Sequence, residues 1–139
     1  MIILDTNVVS ELMKAEPDEQ VIAWLGQQPV ASLFTTTITQ AEIFYGLSLL
    51  PEGRRKQALL EAANLMFIED LADRILSFDA SAAMSYSDIL GERRRAGKTM
   101  SQFNAQIAAI AQSRGAKLAT RNVKDFIDSG IDIVDPWRR

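Results

Sequence analysis

Five polar residues stand where the pattern of the chain calls for an apolar residue or a strand end: Asp5, Glu42, Asn104, Asn122 and Asp125. Asp5 closes the apolar run Ile2-Ile3-Leu4 and is followed by Thr6 and Asn7. Glu42 sits beside an apolar helical series, where an unpaired carboxylate would be costly to bury. Asn104 heads the helically spaced series Asn104, Ile107, Ala108, Ala111. Asn122 lies two residues past the apolar stretch Lys117–Thr120, and Asp125 follows one turn later. Carboxylates gathered at one place repel each other and call for a cation between them. The chain has no histidine and no cysteine. Ser-His-Asp triads, imidazole bases and thiolate or imidazole metal sites are therefore excluded. An ion here must take oxygen ligands, which favours Mg2+ or Mn2+. Such an ion acidifies bound water and stabilises charge on a phosphoryl oxygen, the basis of metal-assisted phosphodiester hydrolysis. Each residue also has a structural alternative. Asp5, Asn104 and Asn122 are types that cap helices and turns, and Glu42 could pair with an arginine or a backbone donor.

The elements that would position these residues alternate between strand and helix. Three consecutive aliphatics at positions 2–4 suit a strand buried on both faces. A short amphipathic helix is expected over Asp18–Gly26, a strand over Ser32–Thr36, and a helix capped by Thr37 or Thr39 running to about Leu50. The apolar face of that helix reads as Ile38, Ala41, Tyr45 and Leu49. Arg54 to about Met66 forms the next helix, with Leu59, Leu60, Ala63, Leu65 and Met66 inward, and Ile75–Phe78 the third strand. Asp79 caps a long helix that closes at Gly97. Ser101 caps another, with Phe103, Ile107, Ala108, Ile110 and Ala111 as its apolar residues and Gly115 at its end. Lys117–Thr120 is the fourth strand and Ile131–Val134 an edge strand. This alternation indicates an α/β domain with a mainly parallel sheet. With strands one and four as neighbours, Asp5 and Asn122 meet at the carboxyl edge, where such sheets collect ligands.

Composition sets the remaining bounds. At 139 residues, 47% hydrophobic and 24% charged, the chain fits one domain with a real core. No apolar run nears the length of a membrane span and no basic region precedes the first one, so no membrane role and a cytoplasmic location are expected. The net charge of −3 neither points to nucleic acid nor excludes it. Arg93, Arg94, Arg95 and Lys98 could contact RNA phosphates, or form the solvated, dipole-favoured end of a helix. Trp24 and Trp137 read as packing residues.

Ile3-Leu4-Asp5-Thr6-Asn7, Thr39-Gln40-Ala41-Glu42-Ile43-Phe44-Tyr45-Gly46, Asn104-Ala105-Gln106-Ile107-Ala108-Ala109-Ile110-Ala111 and Leu118–Phe126 occur in the order of the motifs of PIN-domain proteins. The chain resembles the VapC-type toxins of bacterial toxin–antitoxin pairs, especially their FitB-like branch, whose chains end in a segment similar to Asp135-Pro136-Trp137. The resemblance implies a three-layer α/β/α sandwich over residues 1–139 and a Mg2+- or Mn2+-dependent endoribonuclease. It also implies a homodimer, a cognate antitoxin that blocks the site, and a larger assembly on operator DNA. Asp5 and Glu42 match the first two acidic positions and Asn122 a position held by Asp or Asn. Thr6 and Thr120 would support the site, with Asp125 a supplementary acid. Asn104 falls where the family carries Asp. Its carbonyl can still ligate, but the negative charge is gone and its NH2 cannot bind a metal. Weak metal affinity and low activity are expected, and a silent domain that only binds antitoxin and operator DNA is the competing reading. A phosphatase with an aspartyl nucleophile after the first strand would need a second Asp at position 7, which is Asn7.

Overall fold

The computed structural model describes residues 1–138. Its centre is β1 (Ile2–Leu4), with Ile3 and Leu4 all but inaccessible to solvent. The two residues face opposite ways, as successive residues of a strand must. Ile3 joins one core cluster with Ile89, Ile107, Ile110, Leu118 and Phe126, while Leu4 joins another with Val8, Val9, Ile43, Leu47 and Phe67. A strand covered on both faces has no use for alternating polar residues, hence the unbroken apolar run.

Among the described residues the chain runs β1, α1 (Thr6–Leu12), α2 (Glu19–Gly26), β2 (Leu33–Thr36), α3 (Thr37–Ser48), α4 (Arg54–Leu65), β3 (Ile75–Leu76), α5 (Ala80–Arg95), α6 (Gln102–Arg114), β4 (Lys117–Ala119), α7 (Val123–Phe126) and β5 (Ile133–Val134). All five strands are parallel, in the order β3-β2-β1-β4-β5. Helices α5, α6 and α7 cover one face and α1, α3 and α4 the other, giving the expected three-layer sandwich. The order turns back at β1, whose neighbours are β2 and β4. That is the switch point at which open α/β sheets form a crevice. No helix among the described residues is long and apolar enough to cross a membrane.

Helix boundaries follow their caps. The side chains of Asp18, Asp79 and Ser101 each accept from a backbone N–H in the first turn of α2, α5 and α6, and Gly115 closes α6 at φ 62°. Helix α3 departs from expectation. Its cap is Thr36, whose hydroxyl accepts from Thr39 N at 3.1 Å, not Thr37 or Thr39. Its buried face is Thr39, Ile43 and Leu47, while Tyr45 and Leu49 are exposed. Apolar residues surround this helix almost completely, so spacing alone does not select its inner face. Leu65 and Phe103, also expected inside, are exposed. After Leu65 the chain continues as a π-helical turn over Met66–Asp70, which buries Phe67 instead.

Candidate active site

Asp5 is the first residue beyond β1. Its backbone N–H still donates to Ala119 O on β4, at 2.9 Å, while its carbonyl accepts from Val8 and Val9 N and so starts α1. The strand-to-helix junction thus fixes the Asp5 side chain at the carboxyl edge of the sheet. One carboxylate oxygen accepts from Thr6 N at 2.8 Å; the other accepts from the Thr120 hydroxyl at 2.8 Å and from Asn7 Nδ2 at 3.3 Å. Thr120, fully buried past β4, is itself held by Asn7 Nδ2 and Asn122 N, both at 3.1 Å.

Glu42 arrives from α3. Its Oε1 accepts from the Thr6 hydroxyl at 2.8 Å. Because the single Thr6 proton is committed to that carboxylate, the Thr39 hydroxyl, 3.1 Å from Thr6 Oγ1, must be the donor in their contact. Thr39 precedes Glu42 by one turn of α3, so the helix itself places both against Thr6. The two acids therefore sit on opposite sides of the Thr6 residue, one on its backbone N–H and one on its hydroxyl.

Electrostatics separate Asp5, which is buried, and Glu42, which is half-buried, from Glu11, the other buried carboxylate among the described residues. Glu11 is ion-paired with Lys14 at 2.9 Å, and that hydrogen-bonded lysine holds its carboxyl below the usual range. Among the described residues Asp5 and Glu42 have no cation paired with them. Burial pushes both carboxyls up, against the hydrogen bonds they accept, and each also carries a repulsive contribution from an acidic neighbour: Asp125 for Asp5, and Asp5 for Glu42. Two desolvated carboxylates with only neutral donors around them, all ligating atoms oxygen, fit a hard divalent cation. Among the described residues no three acidic side chains converge closely enough to hold a metal by themselves. Asp125 is therefore a neighbour of the pair and not a third clustered ligand.

Asn104 lies in the first turn of α6, half-buried, its own N–H donated to the capping Ser101 hydroxyl and its side chain making no hydrogen bond with another described residue. Helix α6 runs back to the amino edge of the sheet, where Gly115 and Ala116 lead into β4, so its first turn lies at the carboxyl edge with Asp5. The Asn122 side chain is exposed, and its backbone N–H braces Thr120. Asn7 and Thr39 were not singled out as site residues from sequence. Asn7 links Asp5, Thr120 and the backbone N–H of Arg121.

The basic run at the end of α5 is a solvated helix end at Arg94 and Arg95, which are exposed, but not at Arg93. Arg93 is buried; its guanidinium donates to Thr99 O and Ile127 O, both at 2.6 Å, and to Lys124 O at 3.4 Å. It ties the end of α5 to the segment before α6 and to the carbonyl end of α7, the short helix that carries Asp125. Arg95 pairs with Glu92 and Lys98 with Asp128, each at 2.6 Å. Of these four residues, only Arg94 has neither a side-chain hydrogen bond nor an ion pair with another described residue. Replacing Arg93 with Met removes all three of these part-buried bonds, and a loss of about 2–4 kcal/mol is expected in denaturant unfolding. Replacement by Lys recovers part of it, since one ammonium cannot reproduce the planar fork.

A parallel sheet in this order, with Asp5 and Glu42 at its switch point, is the arrangement of an α/β domain with a crevice at the carboxyl edge. The PIN-domain sequence profile matches residues 2–128, and the chain belongs to that family. It is 40% identical over 137 residues to the VapC ribonuclease Y4jK of Sinorhizobium fredii, covering 99% of this chain and 98% of the relative. It is 34% identical to toxin FitB of Neisseria gonorrhoeae over 99% of both chains. The solved structure of FitAB bound to an IR36 DNA fragment contains a chain that superimposes with a TM-score of 0.92. The match is at 34% identity and covers 100% of this chain and 97% of that one.

Proposed function

We propose that this chain is the toxin of a bacterial toxin–antitoxin pair, folded as one PIN domain and acting as an endoribonuclease with Mg2+ or Mn2+. The single observation that carries this reading is the pair of buried Asp5 and half-buried Glu42, joined through Thr6 and without a basic partner among the described residues, at the switch point of the sheet. Relatives called a ribonuclease and a toxin, each matched over nearly its whole length, support it. Asp5 and Glu42 would hold the ion, with the Asn104 carbonyl as a third ligand and Asn122 and Asp125 at the rim. When bound, the ion supplies Lewis-acid stabilisation of the phosphoryl oxygens and acidifies the water that attacks phosphorus. The residues of the chain orient and insulate. Thr6 holds Glu42 in one rotamer, Thr120 and Asn7 hold Asp5, and burial strengthens every charge contact within the site.

Asn104 lowers the activity of this sequence without removing the site. A cognate antitoxin would cover the carboxylates, and a dimer of toxins would assemble with it on operator DNA in the cytoplasm. The FitAB–DNA neighbour supports that assembly. Asn104 also favours a second reading, a domain that binds antitoxin and operator DNA but cuts nothing. The test is cleavage of mixed cellular RNA by antitoxin-free protein in Mn2+. Slow cleavage that chelator stops and Glu42→Gln abolishes is the expected result. Chelator-resistant cleavage would overturn the metal reading, and no cleavage even with Asp restored at position 104 would leave the binding-only one.

A further inference from the structure

Arg121 is the residue directly after Thr120, exposed at the carboxyl edge of β4. Its backbone N–H donates to Asn7 Oδ1 at 3.1 Å, and Asn7 in turn donates to Asp5, so Arg121 is one residue removed from the acidic site. Its guanidinium lies over the indole of Trp137, 5.0 Å from the ring centroid. Trp137 is anchored in turn. Its backbone N–H donates to Asp135 Oδ1 at 2.9 Å and its side chain packs against the core cluster that contains Leu4 and Ala119. The ion pair of Asp135 is with Arg138, not Arg121. The Arg121 guanidinium thus makes neither a hydrogen bond nor an ion pair with another described residue, and all its N–H donors remain open. In a chain of net charge −3, six cations among the described residues are ion-paired and Arg93 is buried against carbonyls.

We infer that Arg121, held by Trp137, is a phosphate-binding residue for the RNA strand as it passes the carboxylate pair. This rests on the ribonuclease reading and extends it by naming a substrate contact. Stacking on an indole restrains the side chain without using its hydrogen-bonding edge, so the fork is oriented before a phosphate arrives. The anchored position is on the β4–β5 side of Asp5, opposite Glu42 on α3. A strand lying across the carboxyl edge would then meet an attractive contact on one side of the site and the acidic pair in the middle.

The test is fluorescence anisotropy of antitoxin-free protein with a labelled single-stranded RNA, in chelator so that nothing is cut, over a range of salt concentrations. Arg121→Gln is expected to weaken binding about fivefold to tenfold near 0.1 M salt and to lower the slope of log K against log salt by about 0.7, the value for one phosphate on a single strand. Trp137→Leu leaves the charge unchanged and is expected to weaken binding about twofold to fivefold by releasing the guanidinium, with Trp137→Phe between it and the parent. Lys117→Gln makes the same charge change at the amino edge of the sheet, where β4 begins, and is expected to have little effect. Circular dichroism and thermal melting identify any variant that has lost its fold, in which case Arg121→Lys, which keeps the charge without the fork, decides. Equal losses for Lys117→Gln and Arg121→Gln, or parent-like binding by Arg121→Gln, would overturn the inference alone. Failure of the parent to bind RNA at about 0.05 M salt would overturn the ribonuclease reading, and the inference with it.

Discussion

Asn104→Asp is expected to raise metal-dependent RNA cleavage by about two to three orders of magnitude. The first turn of α6 already presents position 104 at the carboxyl edge, capped by Ser101 and half-buried, so the substitution requires no rearrangement. It changes an amide, whose only ligating atom is its carbonyl, into a carboxylate with two oxygens and a full negative charge. The gain is in electrostatics at a site where burial has already raised two carboxyls. A few kcal/mol of added charge stabilisation in such an environment is worth tenfold per 1.4 kcal/mol. The check is single-turnover cleavage of one RNA at matched Mn2+ concentration for both proteins. Because a third carboxylate adds repulsion in the absence of metal, the variant should also melt at a lower temperature than the parent in chelator and at a higher one in Mn2+. A metal-independent increase in rate, or equal rates, would mean that position 104 does not act through the ion.

The second large effect falls on Asp5→Asn. Asn keeps the size of the side chain and can still accept from Thr6 N, but it cannot hold a hard cation as a carboxylate does. Cleavage in the Asn104→Asp background should fall by at least about a hundredfold, the scale of a few kcal/mol of lost charge stabilisation. A readout apart from activity follows by linkage. The parent should be stabilised by about 2.7 kcal/mol when Mn2+ reaches a hundred times its dissociation constant; the variant should not respond. In chelator the pH dependence has a definite sign. Burial, foremost, raises the Asp5 carboxyl, so between its ordinary value and its raised value the folded protein holds a proton the unfolded chain has lost. Stability from this group is greatest below that window and falls as pH climbs through it. Glu42 contributes in the same direction, whereas Glu11 and Asp128, whose carboxyls are lowered by Lys14 and Lys98, contribute in the opposite one. The parent-minus-variant difference in unfolding free energy cancels the Glu11 and Asp128 contributions and keeps the part of the Glu42 shift that Asp5 causes, which has the same sign as that of Asp5. It should decline from the ordinary carboxylate range upward.

What could be read from the sequence is what depends on local chemistry. An aliphatic run ended by Asp-Thr-Asn gives β1, the carboxyl edge and Asp5 together, because a doubly covered strand and a polar junction leave a clear pattern. Caps at Asp79, Ser101 and Gly115 were legible for the same reason. The inner face of α3 was not, since apolar residues ring that helix and the choice is made by packing against α1 and α4. Nor was the fate of Arg93. Three arginines at a helix end look like a solvated terminus; only the carbonyls of Thr99, Lys124 and Ile127, brought near by α6 and α7, make one of them a buried tie. The Thr39–Thr6–Glu42 chain of hydroxyls was hidden likewise, since it joins residues 33 and 36 positions apart. Trp137 reads as a packing residue from sequence, and it does pack, but its other role comes from an arginine sixteen positions before it.

The most direct measurement of the central claim is an anomalous difference map at the manganese edge, from crystals of the antitoxin-free protein grown with Mn2+. A peak bridged by the carboxylates of Asp5 and Glu42, and absent from crystals of the Asp5→Asn variant, is the expected result. A map without density between those two carboxylates, at Mn2+ concentrations that support cleavage, would contradict it.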